Sequence, residues 1–214
     1  MKRLTALTAI LAWAATPALA GERPRQRSFA NPSTIAAVEY AFNRLAREKG
    51  QWTAFRETAA DDAILFVPEK VLAKDWLKKR PDPAQPVQWE PQRIYISCDR
   101  RTAASTGAWQ RPDGGTGYFT TVWQLDDKGE WKWVLDHGDV LTAPLPETEF
   151  LEGHVATCIR GGRSNDPDAE ERPQDQSLLW SYTVQDDGSR RVTVRVWNGG
   201  SYDTVINDRV SAKP

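Results

Sequence analysis

Residues 117–141 read GYFTTVWQLDDKGEWKWVLDHGDVL. Between Gly117 and Leu125, Phe119, Thr121, Trp123 and Leu125 fall on one side of an extended chain, and Tyr118, Thr120 and Val122 fall on the other. Successive strand side chains point to opposite faces, so this is the pattern of a half-buried strand. Asp126-Asp127-Lys128-Gly129 reads as a turn. From Glu130 to Leu141 the period stays at two, Trp131, Trp133 and Leu135 alternating with Lys132, Val134 and Asp136. Two such runs around a tight turn predict an antiparallel pair.

Upstream the same period continues. Val87 to Cys98 sets Arg93, Tyr95 and Ser97 opposite Ile94, Ile96 and Cys98, and Thr102 to Gln110 follows a turn at Asp99-Arg100-Arg101. Pro112-Asp113-Gly114-Gly115 then returns the chain to Gly117, completing a four-strand meander. Further back the period is helical. Asn31 suits an N-cap and Pro32 the first helical position, and Ile35, Val38, Phe42 and Leu45 recur at spacings of 3, 4 and 3 up to the stop at Lys49-Gly50. A short second helix carries Trp52, Phe55 and Ala59 on one side; Asp61-Asp62 reads as a turn, and Ala63–Val67 as a strand halted by Pro68. Val71 to Lys79 predicts a third helix, stopped by Arg80-Pro81-Asp82-Pro83. Helices first and a meander afterwards define the α+β class.

Downstream, 144–176 is irregular and rich in Pro, Gly and charge, with 161–174 as a loop. Three more strands follow at 177–185, 190–197 and 201–210, with Val192, Val194 and Val196 alternating with Thr193, Arg195 and Trp197. This C-terminal β meander either extends the first sheet or forms a separate unit. No repeat of solenoid period is present.

At the start, Lys2 and Arg3 precede an apolar stretch from Leu4 to Ala15, and Ala18-Leu19-Ala20 offers a small-residue cleavage site before Gly21. This is the pattern of a secretory signal peptide, too short for a membrane span. The expected organisation is therefore a signal peptide over 1–20, a lead-in over 21–30, a main domain over 31–143, an irregular segment over 144–176 and the meander over 177–214. The expected location is periplasmic or extracellular, with no membrane anchor once the chain is cleaved near Ala20-Gly21. The formal net charge is −1 and becomes −3 without Lys2 and Arg3, which argues against nucleic-acid binding. The two cysteines, Cys98 and Cys158, are expected in an oxidising compartment to form one disulfide, closing a loop worth roughly 3–5 kcal/mol; two separate buried thiols are the alternative. Neither has a second cysteine close by, so no zinc site and no cofactor are expected. His154 would meet Cys158 only on a helix.

Several stretches together carry a resemblance: GQWTAFR (50–56), AADDAILFVP (59–68), SCD (97–99), TGAW (106–109), GYFTTVW (117–123) and WKWVLDHG (131–138). Their order and spacing over 32–141, about half the chain, resemble the nuclear-transport-factor-2-like superfamily, the polyketide-cyclase and ketosteroid-isomerase-like cone, and within it an exported branch of unknown function. The resemblance implies a strongly curved antiparallel sheet wrapped by helices around a conical, largely apolar cavity, the cystatin-like cone. It also implies pairing into a homodimer through the open sheet face. Steroid-isomerase members carry their general-base Asp just before the Pro that ends the first strand. Here Val67 precedes Pro68, and a valine cannot carry a proton.

The polar cluster that remains is Asp136-His137-Gly138-Asp139. Adjacent strand residues face opposite ways, so Asp136 and His137 are not a direct acid–base pair, and His137 would pair more naturally with Asp139. Candidate catalytic residues are Asp136, His137 and Tyr118. Candidate ligand contacts are Tyr95, Trp109, Tyr118, Trp123, Trp133 and Asp136. Three functions follow. The favoured one is binding of a small apolar or aromatic molecule, or of a protein partner, without turnover. The second is an isomerase, dehydratase or hydrolase using Asp136, His137 and a Tyr. The third is an interaction module that pairs through the edge of Val192–Trp197.

Overall fold

The computed structural model describes residues 29–159 and 175–212. The expected signal peptide, most of the lead-in and residues 160–174 of the loop lie outside the described residues. Helix α1 (Pro32–Lys49) begins as its sequence dictates: Asn31 Oδ1 accepts the Ser33 N–H at 3.0 Å and Pro32 stands in the first turn. It stops at Gly50, whose φ of 107° suits glycine and where a Cβ would lie 2.3 Å from the carboxyl carbon of Asp82. That carboxylate caps the next helix, α2 (Gln51–Thr58), accepting from the Thr53 N–H at 2.9 Å and hydroxyl at 2.6 Å.

Strand β1 (Ala59–Phe66) begins earlier than expected and takes in Asp61 and Asp62, which stand exposed in a strand and not in a turn. Asp61 faces Lys74 at 2.7 Å. The segment expected as one helix is divided. Lys70–Leu72 forms a short strand, β2, whose Val71 registers with Leu65, and only Ala73–Leu77 is helical, as α3. Ladder hydrogen bonds to β1 prevail there over a weak local helix preference.

Strands β3 (Gln88–Ile96), β4 (Thr102–Gln110), β5 (Thr116–Leu125) and β6 (Trp131–Leu141) form the antiparallel meander. A short strand β7 (Glu152–Val155) emerges from the stretch read as irregular and pairs with β3. The order across the curved sheet is β2-β1-β6-β5-β4-β3-β7, with β1–β6 and β3–β7 parallel. The sheet is therefore mixed and not antiparallel throughout, because these two pairs join segments distant in sequence, where no hairpin imposes direction. The three helices fill one face, packing Ile35, Phe42, Phe55 and Leu77 against Ile94, Ile96, Trp123 and Trp133. This is the α+β cone that the residues imply.

The meander β8 (Leu178–Val184), β9 (Arg190–Trp197) and β10 (Tyr202–Val210) forms a separate antiparallel sheet, ordered β10-β9-β8. It covers the other face of the main sheet: Val192 packs with Phe66, Val122 and Leu135, while Leu178, Val194 and Ile206 pack with Tyr95 and Ala104. Two expectations change. The sheet face expected to pair two copies is occupied by the chain's own C-terminal sheet. Val192–Trp197 is the central strand, hydrogen-bonded on both sides, and offers no edge. Cys98 and Cys158 are bridged, with Cα atoms 5.1 Å apart. His154 lies in β7, its ring stacked on Tyr95 at 5.1 Å, and not on a helix with Cys158.

Candidate functional site

Between the helices and the sheet lies a cavity of about 340 Å³. Its aromatic wall is continuous: the ring of Phe42 lies 4.8 Å from those of both Phe55 and the β3 residue Trp89, and Trp52 follows at 5.6 Å from Phe55. Phe119 and Trp109 line it from the sheet, and Val67, Pro68 and Val87 complete the apolar lining. Trp109 reaches this position because its strand partner is Gly117. A Cβ on Gly117 would come within 2.2 Å of the indole ring, whose N–H is tied to Tyr118 O at 2.8 Å.

Polar groups of Gln51, Arg111, His137, Asp139, Arg190 and Asp136 also border the cavity. Strict alternation from Trp133 would turn Asp136 away from the helices, but Val134 is an extra residue: Trp123 registers with Trp133, and Val122 with Leu135. This bulge turns Leu135 toward the C-terminal sheet and swings Asp136 into the cavity. There Asp136 Oδ2 accepts the Thr121 hydroxyl at 2.7 Å. Burial is the main cause that raises its pKa to about 7, the nearby Glu39 adding to it and the Thr121 hydrogen bond opposing it. An ordinary aspartic acid is ionised well below that pH.

Glu39, on α1, escaped sequence reading. It is fully buried and accepts the indole N–H groups of Trp89 at 3.1 Å and Trp123 at 3.0 Å, with the Ser105 hydroxyl as a third partner. Burial pushes its pKa up while these three hydrogen bonds hold it down. The signal available in the sequence was a charged residue one position past Val38 on an otherwise apolar helix stripe.

His137 has a different fate. Its Nδ1 accepts from Arg190 Nε at 3.3 Å, and its Nε2 lies 3.1 Å from Asp208 Oδ2, which also accepts the Thr120 hydroxyl at 2.7 Å. Arginine can only donate, so Nδ1 is the acceptor and Nε2 carries the hydrogen that Asp208 receives. Arg190 also donates to Pro68 O at 2.9 Å and Gly138 O at 2.8 Å. The expected partner, Asp139, is not the one used; the partners come from β9 and β10, which lie outside the cone segment. Tyr118 sits on this same outer face, its ring 5.8 Å from that of His137. Burial, with Asp208 and Asp139 nearby, drives its hydroxyl above the usual tyrosine range.

Of the residues singled out in the sequence, Trp109, Asp136 and His137 line the cavity. Tyr95 and Tyr118 lie on the opposite face of the sheet. Trp123 and Trp133 are fully buried core, the latter donating to Phe55 O at 3.2 Å and Thr58 Oγ1 at 3.1 Å. Asp136 and His137 thus border one cavity, but no tyrosine joins them and both ring nitrogens of His137 are held by Arg190 and Asp208. Among the described residues no group of three or more His, Cys, Asp or Glu could hold a metal ion, and no helix is long and apolar enough to cross a membrane.

No family model matches the chain, and no curated protein matches it. Solved structures do. The chain is similar to a candidate ketosteroid isomerase from Parabacteroides distasonis, at 18% identity over 52% of this chain and 88% of that one with a TM-score of 0.41. It is similar to an NTF2-like protein of unknown function from Shewanella baltica, at 16% identity over 52% and 94% with a TM-score of 0.41. A third is the S. rosetta CaMKII hub, at 20% identity over 51% and 96% with a TM-score of 0.38.

Proposed function

We propose that this protein is an exported binding protein that holds one small, largely apolar molecule in its cone. The observation that carries this reading is the cavity of about 340 Å³, walled by Phe42, Trp52, Phe55, Trp89, Trp109 and Phe119 and ending at the carboxyl of Asp136. Concave, mostly apolar sites with few placed polar groups are the usual form of small-molecule sites. Export is supported by the charged, apolar and small-residue succession over 1–20 and by the bridged cysteines. In this reading 31–143 is the binding domain and 177–214 its cover.

Differential scanning fluorimetry against a panel of one- and two-ring compounds tests it. A binder at a hundred times its Kd stabilises the fold by about 2.7 kcal/mol, a shift of several degrees. A panel of such compounds that leaves the melting temperature and tryptophan fluorescence unmoved overturns the reading.

A second reading is favoured by one observation: a cavity carboxyl that titrates near neutrality suits proton transfer. It assigns the proton to Asp136 alone, since both ring nitrogens of His137 are engaged by Arg190 and Asp208 and Tyr118 faces the C-terminal sheet. Its test is substrate turnover that Asp136→Asn abolishes while ligand binding persists.

A further inference from the structure

Asp136 is a half-buried carboxyl with one protein partner. Thr121 occupies Oδ2, and among the described residues no cation pairs with it. The two arginines of the cavity lining are engaged elsewhere. Arg190 holds Pro68 O, Gly138 O and His137, while Arg111 lies 3.4 Å from Asp113 and over the Trp109 ring. The charged group that acts on Asp136 is another carboxyl, Glu39. The donors around Glu39, from Trp89, Trp123 and Ser105, point to it and not into the cavity. The cavity thus sets the Asp136 carboxyl, without a cationic partner, beside the aromatic rings of Phe42, Phe55 and Trp89. Buried charges in proteins are normally paired, and ring faces attract cations, ammonium groups above all.

Resting on the binding reading above, we propose that the ligand is an organic cation, a quaternary ammonium or protonated amine carried on an apolar body. The cationic head sits against Asp136 and the body lies along Phe42, Phe55 and Trp89. The head supplies the partner that Asp136 lacks, and the rings replace its hydration.

The probe is phenyltrimethylammonium, compared with tert-butylbenzene, which has the same shape and no charge. Both are titrated into the full chain at pH 8 and followed by tryptophan fluorescence and calorimetry, for wild type and Asp136→Asn. The cation is expected to bind at least about tenfold more tightly than its neutral isostere. Asp136→Asn is expected to erase that advantage while still binding tert-butylbenzene, which shows that the variant is folded and its cavity intact. Equal or tighter binding of the isostere by wild type overturns the cation inference and leaves the apolar-cavity reading standing, as does a cation affinity that Asp136→Asn leaves unchanged. If wild type binds neither probe, the cavity reading fails and this inference fails with it.

Discussion

The two faces of the central sheet treat neighbouring residues in opposite ways. Asp136 faces the helices, with one hydroxyl partner and an open cavity before it. His137 faces the C-terminal sheet, with both ring nitrogens engaged and its side chain fully enclosed. The outer face is a finished interface, in which Arg190, His137 and Asp208 are joined by hydrogen bonds. The inner face holds a polar group that the protein itself leaves incompletely paired. Protein interiors seldom leave buried polar atoms without partners, so the incomplete face is the one where function belongs.

The largest effect comes from removing the cover. A chain ending before Asp175 exposes Tyr95, Ala104, Val122 and Leu135 together and strips His137 of Arg190 and Asp208. This chain is expected to lose cooperative unfolding in circular dichroism and to aggregate. A truncated chain that stays monomeric and melts like the parent would mean that the outer face needs no cover. Next in size is Arg190→Met, which leaves Pro68 O, Gly138 O and His137 Nδ1 without their donor. Breaking a buried network of this kind costs roughly 3–5 kcal/mol, read as a lowered urea midpoint at constant slope. A loss under 1 kcal/mol would show that the interface is held by its apolar residues alone.

The inner face responds to pH instead. Asp136 has its folded-state pKa raised from 3.8 to about 7, so the folded state binds the proton more tightly than the unfolded chain does. Its neutral form costs the fold little. The cost grows as pH rises from about 4 and levels off above about 7, reaching on the order of 4 kcal/mol. Asp136→Asn is expected to match wild type near pH 4 and to exceed it in stability at pH 8, measured by melts across that range. Parallel stability curves for the two proteins would mean that Asp136 is solvated and ordinary.

How much of this was legible depends on the range of the interactions. The α1 cap, the β4 and β9 boundaries and the alternation of Val192 and Val194 follow from neighbours a few residues away, and they read directly off the chain. The bulge at Val134 does not, since it depends on how β6 registers against β5. That one residue decides which of Leu135 and Asp136 enters the cavity. Arg190 and Asp208 reach His137 across separations of 53 and 71 residues, which no local pattern reports. Tyr95 and Tyr118 are candidate ligand contacts in the sequence, where nothing fixes which sheet face borders the cavity. Their strand parity sets them on the same face as Val122, and the C-terminal sheet determines that this face is the covered one.

The smallest effect isolates the one hydrogen bond that the inner carboxyl receives. Thr121→Val keeps the β-branched shape that the buried strand position requires and removes the hydroxyl. The bond favours the ionised form of Asp136, opposing burial, so its loss moves the midpoint of the titration upward from about 7. Cost in stability is expected to be about 1 kcal/mol at pH 8, where the carboxylate loses its donor, and less at pH 5, where the neutral acid needs it least. The carboxyl resonance of Asp136, followed by NMR through the titration, reads the shift directly. The same substitution applied to Thr120, whose hydroxyl serves Asp208 across the outer face, should leave that resonance in place. A downward shift in Thr121→Val, or an equal shift in both variants, would mean that the two faces are not electrically separate and that Asp136 is tuned by the outer network after all.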